Sequence, residues 1–238
     1  MMRPPIYEPK GKAKEYGDLA LNIYTGCPHR CFYCFAPSVL HQEKEKFHAG
    51  VIPRPGIVDE VRKQLEKEQI TGKLIHLCFT CDPYPTGCDS TATREIIKLL
   101  KDHGNHIQIL TKGNGSRDFD LLDEQDWYGI TISCGDDIAP QVEPNAISPE
   151  RRLIHIAQAK NRGLKTWVSF EPVLDPYAVY EVISECYNLF DRVKIGKLNY
   201  HKWVETDWKR FGIEAERLCK EVGLDYYIKE GLRKEMEK

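Results

Sequence analysis

The sequence predicts an α/β fold, a partial (β/α)6 barrel of the TIM type with parallel strands inside and helices outside. Strand-like apolar runs alternate six times with segments of helical period, which is typical of a parallel sheet. The strand runs are apolar throughout, as expected when both faces of a sheet are covered. Chemically functional residues follow nearly every strand. Barrels place their active sites at the carboxyl ends of their strands, whereas an open doubly wound sheet concentrates functional residues at one switch point.

Six apolar runs are predicted as barrel strands, and a seventh is predicted as a final edge strand. The second run is ended by the Pro-containing segment DPYPTG, a typical turn signal. In chain order the runs are DLALNIY (18–24), KLIHLCFT (73–80), HIQILTK (106–112), YGITISC (128–134), LKTWVSFEP (164–172), DRVKIGKL (191–198) and DYYIK (225–229).

The segments between the strands predict helices with one buried face. Apolar residues recur there at spacings of three and four. Ser148 followed by Pro149 predicts a helix start, and Gly104, Gly163 and Gly223 predict helix ends. The segment DFDLLDEQ predicts a short helix. The predicted apolar positions are Val58, Val61 and Leu65; Leu153, Ile156 and Ala157; Val179, Val182, Ile183 and Cys186; and Trp208, Phe211, Ala215, Leu218 and Val222.

The chain divides into two parts. Residues 1–17 are polar and contain Lys and Pro, which predicts an N-terminal arm or loop rather than core. Residues 18–238 form one predicted barrel domain with a C-terminal helix, since no internal repeat, low-complexity run or linker interrupts them.

Composition limits the partners and the location. The chain has 34 basic and 36 acidic residues, so its overall charge favours neither nucleic acid nor a membrane surface. No stretch has the uninterrupted apolar length of a membrane span, and the N-terminal MMRPPIYEPKGKAKEYG lacks the apolar core of a secretory signal. We therefore expect a cytoplasmic protein whose nine cysteines are thiols or metal ligands rather than disulfides.

Three cysteines cluster in the segment NIYTGCPHRCFYCFAPS, directly after the first predicted strand. Cys27, Cys31 and Cys34 have the spacing C-x3-C-x2-C, with no obvious fourth partner nearby. A structural zinc site needs four protein ligands, so it would take the fourth from His29, His41 or a distant cysteine. A 4Fe–4S cluster needs only three thiolates if its fourth iron stays open for an exchangeable ligand.

This spacing, with the aromatic Tyr33 just before the third cysteine, resembles that of the radical S-adenosylmethionine (SAM) enzymes. The resemblance implies two cofactors, a 4Fe–4S cluster and SAM. It implies that the open iron binds the amino and carboxylate groups of SAM. An electron from the reduced cluster then splits SAM into methionine and a 5′-deoxyadenosyl radical, which abstracts a hydrogen atom from a substrate. An electron donor such as flavodoxin or ferredoxin is the implied partner.

Five further segments resemble the spore photoproduct lyase-like branch of this family. They are FTCDPYP, ILTKG, ITIS, EPNAISPERRL and SFEP, and the resemblance covers roughly residues 19–176. Four of the five lie at the end of a predicted strand. The resemblance thus supports the partial barrel and implies that these strand ends surround SAM.

The resemblance assigns cofactor-binding roles near the first two strands. Tyr33 would offer backbone groups to the adenine, and the alternative is that its ring packs the loop onto the barrel. Thr80 and Asp82 would bind the methionyl ammonium group, because a hydroxyl, a carboxylate and free carbonyls suit a cation. The alternative for Asp82 is a cap on the following turn.

Three residues on later strands complete the implied cofactor site. Lys112 would pair with the methionyl carboxylate, and Ser133 would bind a carboxylate or a ribose hydroxyl unless it only makes a local hydrogen bond. Glu171 would bind the ribose or the substrate. Glu143 and Arg152 also match the branch, and we expect an ion pair between them that fixes a loop.

The chain departs from the lyase itself at two positions. The lyase passes a hydrogen atom through a cysteine and nearby tyrosines. Phe79 stands where we place that cysteine, and Phe35 stands where a tyrosine is expected. Cys81 is the candidate catalytic thiol, with Cys78 close by. These departures make repair of the spore thymine dimer an alternative rather than the main prediction.

Other interpretations stay open. Cys78, Cys81 and Cys88 would also suit a second cluster, although such cysteines are more often core residues. The segment KLNYHKW combines aromatic and basic residues, a pattern that also binds single-stranded nucleic acid. The main prediction is a radical SAM enzyme with an unidentified substrate, for which nucleic acid is one possibility. The non-enzymatic alternative is a zinc-binding or metal-binding structural module.

Overall fold

The computed structural model describes residues 4–203 and 205–238. Its strands are β1 (Ile6–Tyr7), β2 (Leu19–Leu21), β3 (Tyr24–Thr25), β4 (Ile52–Pro53), β5 (Leu74–Leu77), β6 (His106–Thr111), β7 (Trp127–Thr131), β8 (Lys165–Phe170), β9 (Arg192–Ile195) and β10 (Tyr226–Ile228). Eight of them form one sheet in the order β1-β2-β5-β6-β7-β8-β9-β10, while β3 and β4 form a separate antiparallel pair.

The central sheet is parallel except at one edge. Strands β2 and β5 to β10 pair in parallel with their neighbours, and β1 is antiparallel to β2. The sheet is not closed, because β1 and β10 are its two edges. The predicted partial barrel is therefore confirmed. The run DYYIK is the expected edge strand, with Tyr226 opposite Val193.

The predicted first strand is two short strands, because Asn22 leaves the β-ladder between them. Its side-chain oxygen accepts hydrogen bonds from the backbone N–H groups of Phe79 (2.8 Å) and Thr80 (3.0 Å). The Asn22 amide N–H in turn donates to the Tyr7 hydroxyl at 2.8 Å. Asn22 thereby joins the carboxyl ends of β2 and β5, where barrels carry their sites.

Helices cover the outside of the sheet. The five long helices agree with the predicted segments, and Pro149 begins one of them as expected, although the Ser148 side chain makes no capping hydrogen bond. The segment DFDLLDEQ overlaps a 3₁₀ helix, Ser116–Leu121. The helices are α1 (Ala36–Val39), α2 (Lys44–His48), α3 (Ile57–Glu68), α4 (Thr91–Asp102), α5 (Ala139–Val142), α6 (Pro149–Asn161), α7 (Pro176–Cys186), α8 (Trp208–Glu221) and α9 (Glu230–Met236).

The N-terminal arm is more structured than its composition suggests. Residues 1–3 lie outside the described residues, but Ile6 is 2% exposed and joins the main apolar cluster. Gln64 of α3 pairs with both backbone groups of Ile6, at 2.8 and 2.9 Å. The expectation of a loop outside the core is thus wrong for β1, because one apolar side chain and a backbone pairing outweigh the polar composition.

Tyr16 extends the arm into the barrel. Its backbone carbonyl accepts hydrogen bonds from Gln108 of β6 at 2.8 Å and from Lys194 of β9 at 3.3 Å. Its ring lies 5.7 Å from the ring of His76 on β5 and 6.0 Å from that of Trp167 on β8. Since these residues come from four strands, Tyr16 lies in the space that the strands surround.

Candidate active site

The three cysteines lie on a loop that the rest of the fold holds in place. Gly26, with φ +83°, begins this loop, and a Cβ there would lie 2.1 Å from the carbonyl oxygen of Gly50. Only glycine fits both the backbone angle and that close approach. The Cys27 N–H donates to the Phe47 carbonyl at 3.3 Å, and Nδ1 of His48 lies 2.7 Å from the Cys27 carbonyl. Helix α2 therefore anchors the first cysteine.

The second half of the loop is bonded to α2 and α5. The Phe32 N–H donates to the Val142 carbonyl at 2.9 Å, and Lys44 donates to the Phe32 carbonyl at 2.9 Å. The Cys34 N–H donates to the Cys31 carbonyl at 3.1 Å, which forms a tight turn between the two cysteines.

Burial raises the pKa of all three thiols. For Cys27 the Asp82 carboxylate raises the pKa further. For Cys31 burial raises the pKa to about 12 although Lys112 opposes the shift, and for Cys34 burial is again the main cause. A buried thiolate needs a nearby positive charge to be stable. A coordinated metal supplies such a charge, so the loop suits thiolates that bind metal rather than free thiolates.

The three cysteines are one ligand short of a structural zinc site. Zinc–sulfur bonds of about 2.3 Å place tetrahedral ligand atoms roughly 3.8 Å apart. Within the described residues, the one group of three or more His, Cys, Asp or Glu whose ligand atoms all lie within 4.8 Å of one another is His106, Asp123 and Asp126. A 4Fe–4S cluster with one open iron takes three thiolates, which is the number that this loop provides.

His29 is also a poor fourth ligand for zinc. Its Nε2 accepts a hydrogen bond from the Thr86 N–H at 3.1 Å and lies 3.0 Å from the Thr86 hydroxyl. Its Nδ1 lies 3.6 Å from the Asp82 carboxylate. Burial lowers the pKa of His29, so the imidazole is neutral at pH 7. Both ring nitrogens thus face other protein groups.

Asp82 makes the cap that was the alternative to cofactor binding. One carboxylate oxygen accepts from the Tyr84 N–H (2.8 Å) and the Thr111 hydroxyl (2.5 Å), and the other accepts from the Lys112 N–H (2.8 Å). These bonds fix the turn after β5 against the end of β6. Binding of SAM by Asp82 stays a prediction, as does binding by Thr80, whose N–H is bonded to Asn22.

Tyr33 and Ser133 meet in a buried polar network beneath the cysteine loop. The Tyr33 hydroxyl lies 3.1 Å from the Ser133 hydroxyl and donates to the Glu143 carboxylate. Glu143 is also paired with Arg152, and both side chains are fully buried. The expected ion pair is confirmed. It holds the ring of Tyr33, which agrees with the packing alternative, while contact of its backbone with adenine stays a prediction.

Lys112 lies beside this network, on the side of the cysteines. Its ammonium group is 5.5 Å from the centre of the Tyr33 ring. Its charge lowers the pKa of Cys31 and Cys34, against the larger effect of burial. Because Lys112 directly follows β6, the fold brings together the cysteine loop, Tyr33, Lys112 and Ser133.

Glu171 has different neighbours. Its carboxylate accepts from the Tyr16 hydroxyl at 2.9 Å and from Asn199 at 3.3 Å, and it is paired with Lys229. A Cβ on Gly196 would lie 2.8 Å from Glu171 Cδ, so Glu171 packs directly on that glycine. The roles of Tyr16, Asn199 and Lys229 were missed in the sequence because each lies far from Glu171 along the chain. Asn22 did carry a signal, as a polar residue within an apolar run.

The segment KLNYHKW contacts the cysteine loop. The ring of Phe32 lies 5.3 Å from that of His201 and 5.2 Å from that of Trp203. Tyr200 is 86% exposed, and Phe35 is 50% exposed. This aromatic surface borders the cysteines, and its binding of nucleic acid stays a prediction.

Comparison with known proteins identifies the class that this fold and this three-cysteine loop define. The family model of the radical SAM superfamily matches residues 21–190. The chain belongs to that superfamily, and it is an enzyme of the radical SAM class. The family implies SAM and a 4Fe–4S cluster as cofactors.

Two relatives in sequence are described as uncharacterized proteins. One is from Acidianus two-tailed virus and is 30% identical over 207 residues, which is 77% of this chain and 68% of the viral protein. The other is from Mycobacterium bovis and is 28% identical over 167 residues, 65% of this chain and 49% of that protein. The chain spans about half the length of the mycobacterial relative.

Solved structures show the same fold. A spore photoproduct lyase variant with bound AdoMet and dinucleoside spore photoproduct has a TM-score of 0.72 at 13% identity, covering 92% of this chain and 78% of the lyase. Streptococcus suis SuiB bound to S-adenosylmethionine has a TM-score of 0.63 at 10% identity, covering 88% and 46%. Among the described helices, none combines the length and the apolar character that crossing a membrane requires.

Proposed function

We propose that this enzyme holds a 4Fe–4S cluster on Cys27, Cys31 and Cys34 and uses it to cleave SAM. The supporting observation is the set of three buried or part-buried thiols on one loop, near the ammonium group of Lys112. When bound, the cluster and SAM supply a 5′-deoxyadenosyl radical that abstracts hydrogen from a substrate.

The residues of the chain position SAM. Lys112 binds the methionyl carboxylate, because an ammonium group forms a charge-assisted hydrogen bond with it. Thr80 and Asp82 bind the methionyl ammonium, while Ser133 and Glu171 bind the ribose or the substrate. Tyr33 fixes the loop through its hydrogen bonds and offers backbone groups to adenine.

Cys81 is the proposed catalytic thiol. It is part-buried at the carboxyl end of β5, two residues after Phe79. An S–H bond gives up a hydrogen atom easily, and phenylalanine has no such bond. Cys81 would therefore quench a carbon radical in the site.

The substrate remains to be identified, and modified nucleic acid is the class we favour. One solved neighbour carries a bound dinucleoside, and the exposed aromatic and basic segment 197–203 suits stacking against bases. Dimer repair of the lyase type is the second candidate, and Phe79 and Phe35 count against it. A flavodoxin or ferredoxin in the cytoplasm is the proposed electron source.

Anaerobic reconstitution tests the cofactor assignment. We expect brown protein with about four irons per chain, which releases 5′-deoxyadenosine from SAM after reduction. Cys31→Ala should lose the iron, whereas Cys186→Ser on α7 should keep it. Colourless protein that retains one zinc per chain would support the structural alternative and contradict the proposal.

The source of hydrogen identifies the substrate class. Candidate substrates labelled with deuterium are incubated with SAM and reductant, and 5′-deoxyadenosine is analysed by mass spectrometry. Deuterium from a labelled nucleic acid would support the favoured class. Deuterium from a labelled peptide or small metabolite alone would contradict it.

A further inference from the structure

A pair of thiols outside the three-cysteine loop lies near it. Cys78 and Cys81 have the spacing C-x2-C at the carboxyl end of β5. Cys78 is 6% exposed and Cys81 is part-buried, and burial, followed by the nearby Cys81 thiol, raises the pKa of Cys78. In a reducing compartment, this spacing is typical of redox-active dithiols.

The backbone holds the two thiols together. Cys78 has φ +69°, a left-handed conformation that is uncommon for a residue with a side chain. Its N–H donates to the Leu21 carbonyl at 2.8 Å. The next two N–H groups, of Phe79 and Thr80, both donate to Asn22 Oδ1. A conformation of this kind persists only where its surroundings enforce it.

The other end of the turn is held as firmly. Asp82 follows Cys81 directly, and its carboxylate is bonded to Tyr84, Thr111 and Lys112. Hydrogen bonds therefore hold the backbone of Cys78, Phe79 and Thr80 and the side chain of Asp82, which follows Cys81. The closeness of the two thiols follows from this turn and does not depend on a metal.

We propose that Cys78 and Cys81 form a redox-active dithiol that closes to an intramolecular disulfide by exchange with a small-molecule disulfide. Cys81 is the more exposed thiol. After losing its proton, its sulfur attacks the small disulfide, forms a mixed disulfide and releases one thiolate. Cys78 then loses its proton and attacks Cys81 Sγ, which releases the second thiolate.

The exchange balances without another reactant. The two cysteines lose two electrons and two protons, and the small disulfide gains them as two thiols. Burial raises the pKa of Cys78, which agrees with the more exposed Cys81 being the thiol that attacks first.

The consequence for catalysis rests on the proposed function. Only the reduced pair carries S–H bonds that can quench a radical in the site. Closure of the disulfide removes that hydrogen source, while Cys27, Cys31 and Cys34 keep their own thiolates. The pair would thereby couple radical chemistry at this site to the thiol redox state of the surroundings.

Peptide mapping tests the pair directly. The reconstituted protein is equilibrated anaerobically with reduced and oxidised glutathione, quenched with acid, alkylated, and digested with trypsin. Cleavage after Lys73 and Arg94 releases residues 74–94, which contain Cys78, Cys81 and also Cys88 as an internal control. We expect the oxidised peptide to carry one alkyl group, on Cys88, and a disulfide between the other two cysteines.

Matched variants complete the test. Cys78→Ser should accumulate a glutathione adduct on Cys81, Cys81→Ser should lose the disulfide, and Cys88→Ser should form it as wild type does. Full alkylation of Cys78 and Cys81 at every glutathione ratio, or a disulfide to Cys88, would overturn the proposal. Absence of 5′-deoxyadenosine from wild type would instead contradict the proposed function, whatever the peptide map shows.

Discussion

Within the described part of the chain, the ammonium group of Lys112 has no hydrogen-bond partner, although the backbone of the residue is fixed. The backbone N–H is bonded to Asp82 and the carbonyl accepts from Ile147 at 3.0 Å, while the ammonium lies over the ring of Tyr33. This arrangement positions a cation beside the cysteine loop. The Lys112 side chain therefore loses little further conformational entropy when a ligand binds.

Replacing Lys112 should therefore weaken SAM binding and leave the cluster intact. A charge-assisted hydrogen bond contributes about 1.5–3 kcal/mol, so Lys112→Ala should raise the Kd for SAM by roughly tenfold to a hundredfold. Equilibrium dialysis against SAM, with iron analysis of the same sample, measures both quantities. Lys98→Ala, on the exposed face of α4, is the control. An unchanged Kd in Lys112→Ala would remove Lys112 from the SAM site.

The pair of Glu143 and Arg152 predicts a pH-dependent stability. Burial raises the pKa of Glu143, but the opposing charges of Arg152 and Lys112 prevail and lower it from 4.5 to about 2. The carboxylate therefore stabilises the fold fully above pH 4.5 and loses this contribution as the pH falls toward 2. Glu143→Gln leaves Arg152 buried without a counter-charge, which costs about 3–5 kcal/mol at pH 7.

Urea denaturation of the metal-free protein at several pH values checks this prediction. The difference in free energy of unfolding between wild type and Glu143→Gln should be largest above pH 4.5 and should shrink below it. Glu66→Gln, at an exposed position of α3, should show no such difference. A difference that stays constant with pH would mean that Glu143 does not carry the charge that holds Arg152.

At the scale of elements, strand β1 is integrated into the barrel by a buried side chain. Truncation of a buried isoleucine costs about 2–5 kcal/mol, so Ile6→Ala should lower the free energy of unfolding by that amount. Ile52→Ala in β4 is the matched control, because Ile52 is 62% exposed. Equal effects of the two variants would show that β1 does not pack as the structure has it.

The elements differ in how far the sequence predicts them. The barrel strands and the long helices were predicted because periodic apolar residues report burial locally. Strand β1 and helix α9 were missed because their partners are distant: Ile6 pairs with Gln64, and Leu232 packs among residues of other elements. The cysteine spacing located the three-cysteine loop, whereas the cap made by Asp82 needed the folded positions of β5 and β6.

At the scale of the whole molecule, the arm links the two edges of the open sheet. Glu15 accepts hydrogen bonds from the Tyr227 hydroxyl of β10 (3.1 Å) and from the Glu230 N–H of α9 (2.8 Å). Its backbone carbonyl accepts from Lys194 at 2.6 Å. Since β1 pairs with β2 at the opposite edge, the residues from β1 to Glu15 span the gap that an incomplete barrel leaves.

Removing this link should loosen an edge that is distant in sequence. In Glu15→Ala, the N–H of Glu230 loses its acceptor, and β10 loses a contact that holds it to the arm. Hydrogen–deuterium exchange should therefore become faster in residues 226–236 as well as near the substitution, because exchange reports local opening. Lys14→Ala, at an exposed neighbouring position, should change neither region. Faster exchange confined to residues 10–16 would show that the arm lies on the barrel without joining its edges.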